Sequence, residues 1–83
     1  MITSAPWEIV LTGPARKSLE HAPARDRRRI EAALKVMAAN PFQGDVKLLF
    51  GEPRRFRRRV GAWRIFFSRV AGERRILISA IER

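Results

Sequence analysis

Phe56-Arg57-Arg58-Arg59-Val60-Gly61-Ala62-Trp63-Arg64-Ile65 is the stretch on which the fold turns. In a strand, successive side chains point to opposite faces, so Phe56 and Val60 fall on one side and Arg57 and Arg59 on the other. Gly61-Ala62 supplies a tight turn, and Trp63-Arg64-Ile65 runs back as a second strand, which predicts a hairpin with one apolar and one cationic face. The hairpin brings Arg64 beside Arg57 and Arg59, where three guanidiniums can grip one or two phosphates with bidentate geometry. Arg58 breaks the pattern, because alternation sends it to the Phe56 side. It is expected either to snorkel past the sheet edge or to be re-aimed by a bulge.

Working outward, Phe56–Val60, Trp63–Val70 and Arg75–Ile81 read as three strands, the last two joined by a turn at Ala71-Gly72-Glu73. Ile76, Leu77, Ile78 and Ile81 place apolar side chains on both faces of the last strand, which predicts an interior position with both faces at least partly covered. Upstream, Trp7-Glu8-Ile9-Val10-Leu11 alternates as a first strand. Thr12-Gly13-Pro14 then opens a short helix carrying Ala15, Leu19 and Ala22, with His21 in its last turn and Pro23 as its stop. A second helix spans Ala24 to Ala39, with Ile30, Ala33, Leu34 and Met37 on one stripe and Asn40-Pro41 ending it. Val46–Phe50 reads equally as a short strand or an extended connection. The expectation is an α+β fold in one domain, residues 1–83: a two-helix hairpin packed on a small, mainly antiparallel four-stranded sheet in the order β-α-α-β-β-β.

Charge narrows the function. The 83-residue chain has a formal net charge of +10, and 15 of its 18 cations are Arg. Residues 54–83 alone carry 10 cations against Glu73 and Glu82, so a polyanion-binding surface is expected in the C-terminal third. With 46% hydrophobic residues the chain can build a modest core and is not a disordered basic tail. Zero Cys and a single His exclude disulfide frameworks, thiolate metal sites, Cys nucleophiles and His-based triads, and no metal site is expected. No apolar run approaches a membrane span and no leader pattern opens the chain, so a soluble, cytoplasmic protein is expected. Trp7, Phe56 and Phe67 are assigned to the core. Phe66, on the Arg64 face, is the aromatic ring placed to stack on a base. His21 is read as a surface residue away from the hairpin strands, not as a general base.

Taken together, Trp7–Thr12 followed by Ala15, Asn40-Pro41 closing the second helix, Lys47-Leu48 with Gly51, and the Phe56–Ile65 block resemble the RelE/ParE superfamily of bacterial toxin–antitoxin toxins. The block is the most specific part, matching an aromatic-basic-x-basic-apolar-Gly-x-aromatic-Arg pattern. Its RelE-like branch implies an endoribonuclease that cuts messenger RNA in the ribosomal A site, the 2′-OH attacking its own phosphate without metal or cofactor. On that resemblance Arg57 and Arg59 orient the 2′-OH and the phosphate, Arg64 stabilises charge on the phosphoryl oxygens and Arg83 serves the leaving side. Arg54, Arg55, Arg58 and Phe66 become further RNA contacts. The implied partners are a cognate antitoxin protein and messenger RNA held against ribosomal RNA, with no membrane. The ParE-like branch implies instead a DNA gyrase inhibitor, and the same Arg face also suits a non-catalytic nucleic-acid-binding module. One departure concerns the proton chemistry. RelE itself uses a tyrosine, this chain has none, and a guanidinium hardly gives up its own proton to become a base.

Overall fold

The computed structural model describes residues 6–49, 55–70 and 72–83. The elements follow in the order β1 (Glu8–Leu11), α1 (Gly13–His21), α2 (Ala24–Ala39), β2 (Val46–Leu48), β3 (Arg55–Val60), β4 (Trp63–Arg69) and β5 (Arg75–Glu82). Thr12 caps α1, its Oγ1 accepting a hydrogen bond from the Ala15 N–H at 3.3 Å and so satisfying one of the donors left over at a helix start. Both helices stop for the same reason. Ala22 and Asn40 have extended backbones, the conformation that a following proline, here Pro23 and Pro41, forces on its predecessor.

The strands form one sheet in the order β1-β5-β4-β3-β2. Two expectations are corrected here. The sheet has five strands, not four, because Val46–Leu48 pairs antiparallel with β3, setting Val46, Lys47 and Leu48 opposite Arg58, Arg57 and Phe56. It is also mixed, since β1 runs parallel to β5, Glu8 opposite Arg75 and Leu11 opposite Ile78. Arg75 ties that edge through its Nε to Glu8 at 2.9 Å and its Nη1 to Glu73 at 3.0 Å. The Glu8 hydrogen bond first, then the charges of Glu73 and Glu8, hold the Arg75 pKa above its ordinary value.

Ala15, Ala22, Ile30, Ala33 and Met37 of the helical layer bury against Ile65, Phe67, Ile76, Ile78 and Ile81 in a single cluster. Both helices therefore cover one face of the sheet. Phe42, Phe56 and Phe67 extend that core toward β2, with ring centroids 5.1 Å apart for the first pair and 5.4 Å for the second. β5 is interior by pairing, as expected, but its second face lies on the side that the helices leave open. Leu77 is half-buried there among strand neighbours.

β5 contains a bulge. Phe67 pairs with Ile78 while Phe66 pairs with Ala80, leaving Ser79 as the extra residue. The bulge is tied from both sides: Thr12 donates through its N–H to the Ile78 carbonyl at 3.0 Å and through Oγ1 to the Ser79 carbonyl at 3.1 Å. On the other strand, Ser79 Oγ donates to the Phe66 carbonyl at 3.2 Å. The residue that caps α1 thus also fixes the register of β5.

Candidate nucleic-acid interface

The β3–β4 register sets Arg59 directly opposite Arg64, Arg57 opposite Phe66, and Arg55 opposite Ser68. These pairs share the open face, because their neighbours Phe56, Ile65 and Phe67 point into the core. Gly61 makes this possible at the turn, with φ +59, a conformation that L side chains rarely adopt. A Cβ at Gly61 would also lie 2.9 Å from Arg29 Nη2, so α2 contributes one more cation beside the turn.

Arg57, Arg59 and Arg64 are therefore brought together as the alternation predicts, and Lys47 joins them opposite Arg57 from β2. The cluster has little internal compensation. Asp45 approaches Arg57 Nη2 only to 3.8 Å and is itself 60% exposed, a loose surface pair of the kind that contributes at most about 1 kcal/mol. Arg59 has no acidic partner among the described residues. Such a surface favours a ligand rich in anionic acceptors.

The structure places four further residues as follows. Arg58 lies on the helix side of the sheet, away from Arg57 and Arg59. The β3–β4 pairing runs without a bulge, and the Arg58 guanidinium instead crosses the 40–45 loop, donating from Nη1 to the Gln43 carbonyl. Gly44, φ +97, leaves room for it, since a Cβ there would stand 2.7 Å from Arg58 Nη1. Phe66 is on the predicted face, but its ring carries the Arg55 guanidinium 5.2 Å from the centroid, so a stacking base would compete with that cation. Arg83 is not among the three clustered guanidiniums. Its side chain covers Trp63 at 5.7 Å, while its carbonyl accepts from Arg64 Nη2 at 3.1 Å. His21 is not remote from the strands. With Pro14, Lys17, Ser18, Trp63 and Arg83 it lines an open cleft of about 580 Å³ between α1 and the start of β4. Arg54 lies outside the described residues.

Besides Lys47, the open face holds an acidic residue that the sequence reading did not place there. Glu82 stands directly opposite Arg64 on β5, so Arg59, Arg64 and Glu82 form one row across three strands.

The sequence matches no family model and no curated protein. Solved structures share its fold. A chain of the toxin–antitoxin complex RelBE2 from Mycobacterium tuberculosis aligns at TM-score 0.81 and 22% identity, over 94% of this chain and 98% of that one. A chain of the archaeal RelE–RelB complex from Pyrococcus horikoshii gives TM-score 0.79 and 21% identity over 93% of each. A YoeB/ParE toxin from Agrobacterium tumefaciens gives 0.76 and 20%, covering 90% of this chain and 95% of the other. The chain has the fold of RelE/ParE-type toxins.

Proposed function

We propose that the chain is the toxin of a toxin–antitoxin pair and acts as an endoribonuclease on messenger RNA held in the ribosomal A site. The observation that carries this reading is the cluster of Arg57, Arg59 and Arg64, with little acidic compensation, on the open face of a RelE-type sheet. The RNA 2′-OH attacks the adjacent phosphorus, giving a 2′,3′-cyclic phosphate and a 5′-OH. Charge builds on the non-bridging oxygens as it does so, and fixed guanidiniums already aimed at that place stabilise it without reorganising. Arg57 and Arg59 orient the 2′-OH and phosphate, and Arg64 takes the phosphoryl oxygens. Arg83, at the rim, meets the strand on the leaving side. Arg55 and the half-covered Phe66 extend the contact along the face, and Arg54 is a further proposed contact.

Ribosome dependence follows from the same chemistry. A site built from cations gains most when another body holds the substrate near in-line geometry, and positioning can supply roughly 7–11 kcal/mol. The antitoxin enters on charge. The structures that share this fold include a chain of the toxin–antitoxin complex RelBE2 from M. tuberculosis and a chain of the RelE–RelB complex from P. horikoshii, and a chain of net charge +10 suits an acidic segment that folds over its open face.

The test is cleavage of a defined message on programmed ribosomes with both ends mapped. Wild type is expected to cut within the A-site codon, and Arg64→Ala and Arg57→Ala/Arg59→Ala to lose activity about 10²–10³-fold or more. A folded wild type that leaves the message intact refutes the reading. DNA breaks that require a sensitive gyrase would transfer it to the ParE-like alternative.

A further inference from the structure

The proposed reaction needs a group to accept the 2′-OH proton, and none of the clustered guanidiniums can do so, because each stays protonated. The open face does hold a carboxylate beside them. Glu82 is set opposite Arg64 by the β5 register, it is exposed, and its carboxylate has neither an ion pair nor a hydrogen bond among the described residues. Arg64, its neighbour across the strands, spends its Nη2 hydrogen bond on the Arg83 carbonyl instead.

Glu82 reaches that face only because of the bulge. Ile76 and Ile78 are buried, so unbroken alternation would turn residues 80 and 82 toward the helices. The extra residue Ser79 shifts the phase, so that Ile81 is buried and Glu82 emerges among the arginines. Three hydrogen bonds from Thr12 and Ser79 hold this bulge in place. Bulges commonly re-aim a side chain beside an active site, and here the re-aimed side chain is an unpaired carboxylate in a field of cations.

We propose that Glu82 is the general base of the ribonuclease reaction. The proposal rests on the ribonuclease reading above. The Glu82 carboxylate takes the 2′-OH proton as the 2′-oxygen bonds to phosphorus and the bond from phosphorus to the 5′-oxygen breaks. The departing 5′-oxygen takes a proton from water, and the resulting hydroxide recovers the proton from Glu82. The charged groups around the carboxylate are Arg64 on β4, Arg59 and Arg57 on β3, and Arg83 next in sequence. Lys17 and His21 of α1 line the cleft with Arg83 and Trp63.

The experiment is single-turnover cleavage on programmed ribosomes by the full chain, paired with binding to the same ribosomes. Glu82→Gln is expected to slow cleavage about 10²–10⁴-fold, the range of general-base contributions, with binding unchanged or tighter because a negative charge is gone. Glu82→Ala should recover activity on addition of formate or acetate and not of chloride, a rescue that a purely structural role would not produce. Wild type that cuts while Glu82→Gln cuts within about threefold of it overturns the proposal and leaves the ribonuclease reading standing. Loss of ribosome binding in Glu82→Gln, or no rescue by carboxylates, also overturns it. A folded wild type that cuts nothing removes both.

Discussion

Arg59→Gln should make the protein more stable and less active. Arg59 and Arg64 are direct cross-strand neighbours, and strands in a sheet lie about 4.8 Å apart. Like charges facing each other in this way destabilise by a few tenths to about 1 kcal/mol. The upper part of that range does not apply, since both side chains are exposed and their heads can splay into water; about 0.5 kcal/mol is the working value. For a domain of this size 1 kcal/mol moves Tm by roughly 4–8 °C, so Arg59→Gln is expected to raise it by about 2–4 °C in low salt. The gain is Coulombic and should fade as the screening length falls to about 3 Å at 1 M salt. Cleavage should fall about 10²–10³-fold over the same substitution. Thermal unfolding followed by circular dichroism at low and high salt measures the first effect, and the ribosome assay the second. A variant that is less stable than wild type in low salt, or whose gain persists unchanged at 1 M salt, refutes the argument that the row is strained by its own charge.

Three further outcomes follow from the packing. Phe67→Ala removes a fully buried ring where Phe56 and Phe42 meet the helical layer and is expected to cost about 3–5 kcal/mol, enough to unfold much of a marginal domain in urea titrations. Gly44→Ala should destabilise by about 1 kcal/mol or more, from φ +97 and the close Arg58 guanidinium. In a double-mutant cycle Arg58→Ala should recover the steric part and leave the backbone part, and full additivity would contradict the contact. Thr12→Val deletes both the α1 cap and a tether of the β5 bulge, so a loss of about 0.5–2 kcal/mol should come with faster amide exchange at Ser79 and Ala80. A loss of stability with no change in exchange there would separate the two roles.

Much of this architecture is legible along the chain, for identifiable reasons. The helices have punctuation: Thr12 and Pro14 at one start, Pro23 between them and Pro41 after the second act through local sterics, which need no tertiary context. The Arg face follows from period-two alternation about a two-residue turn, again a local rule. β2 was undecidable because three residues carry too little periodicity, and its identity comes from pairing with β3. The placements of Arg83 and His21 depend on how α1 packs over the start of β4, a long-range contact with no sequence signature. Glu82 is an intermediate case. Buried isoleucines at 76, 78 and 81 are spaced by two and then three, and in a strand that change of phase announces a bulge; reading it would have moved Glu82 to the Arg face.

The division of the sheet into a covered and an open face explains how so cationic a chain folds at all. Burial is concentrated on the helix side, where the cluster from Ala15 to Ile81 contains no charged group. Arg55, Arg57, Arg59 and Arg64 stand on the other side, where water screens the exposed heads and few acidic residues answer them. That separation keeps repulsion among Arg57, Arg59 and Arg64 from opposing the core directly, because the strands that display the arginines are the same strands whose alternate residues are buried. The residual repulsion is felt at the face itself, and an anionic ligand relieves it. Binding there then stabilises the fold as well as occupying the site, by an amount that grows as RT ln(1 + [L]/Kd), or about 2.7 kcal/mol at a hundredfold excess over Kd. A protein arranged in this way is at its most stable with a polyanion on its open face.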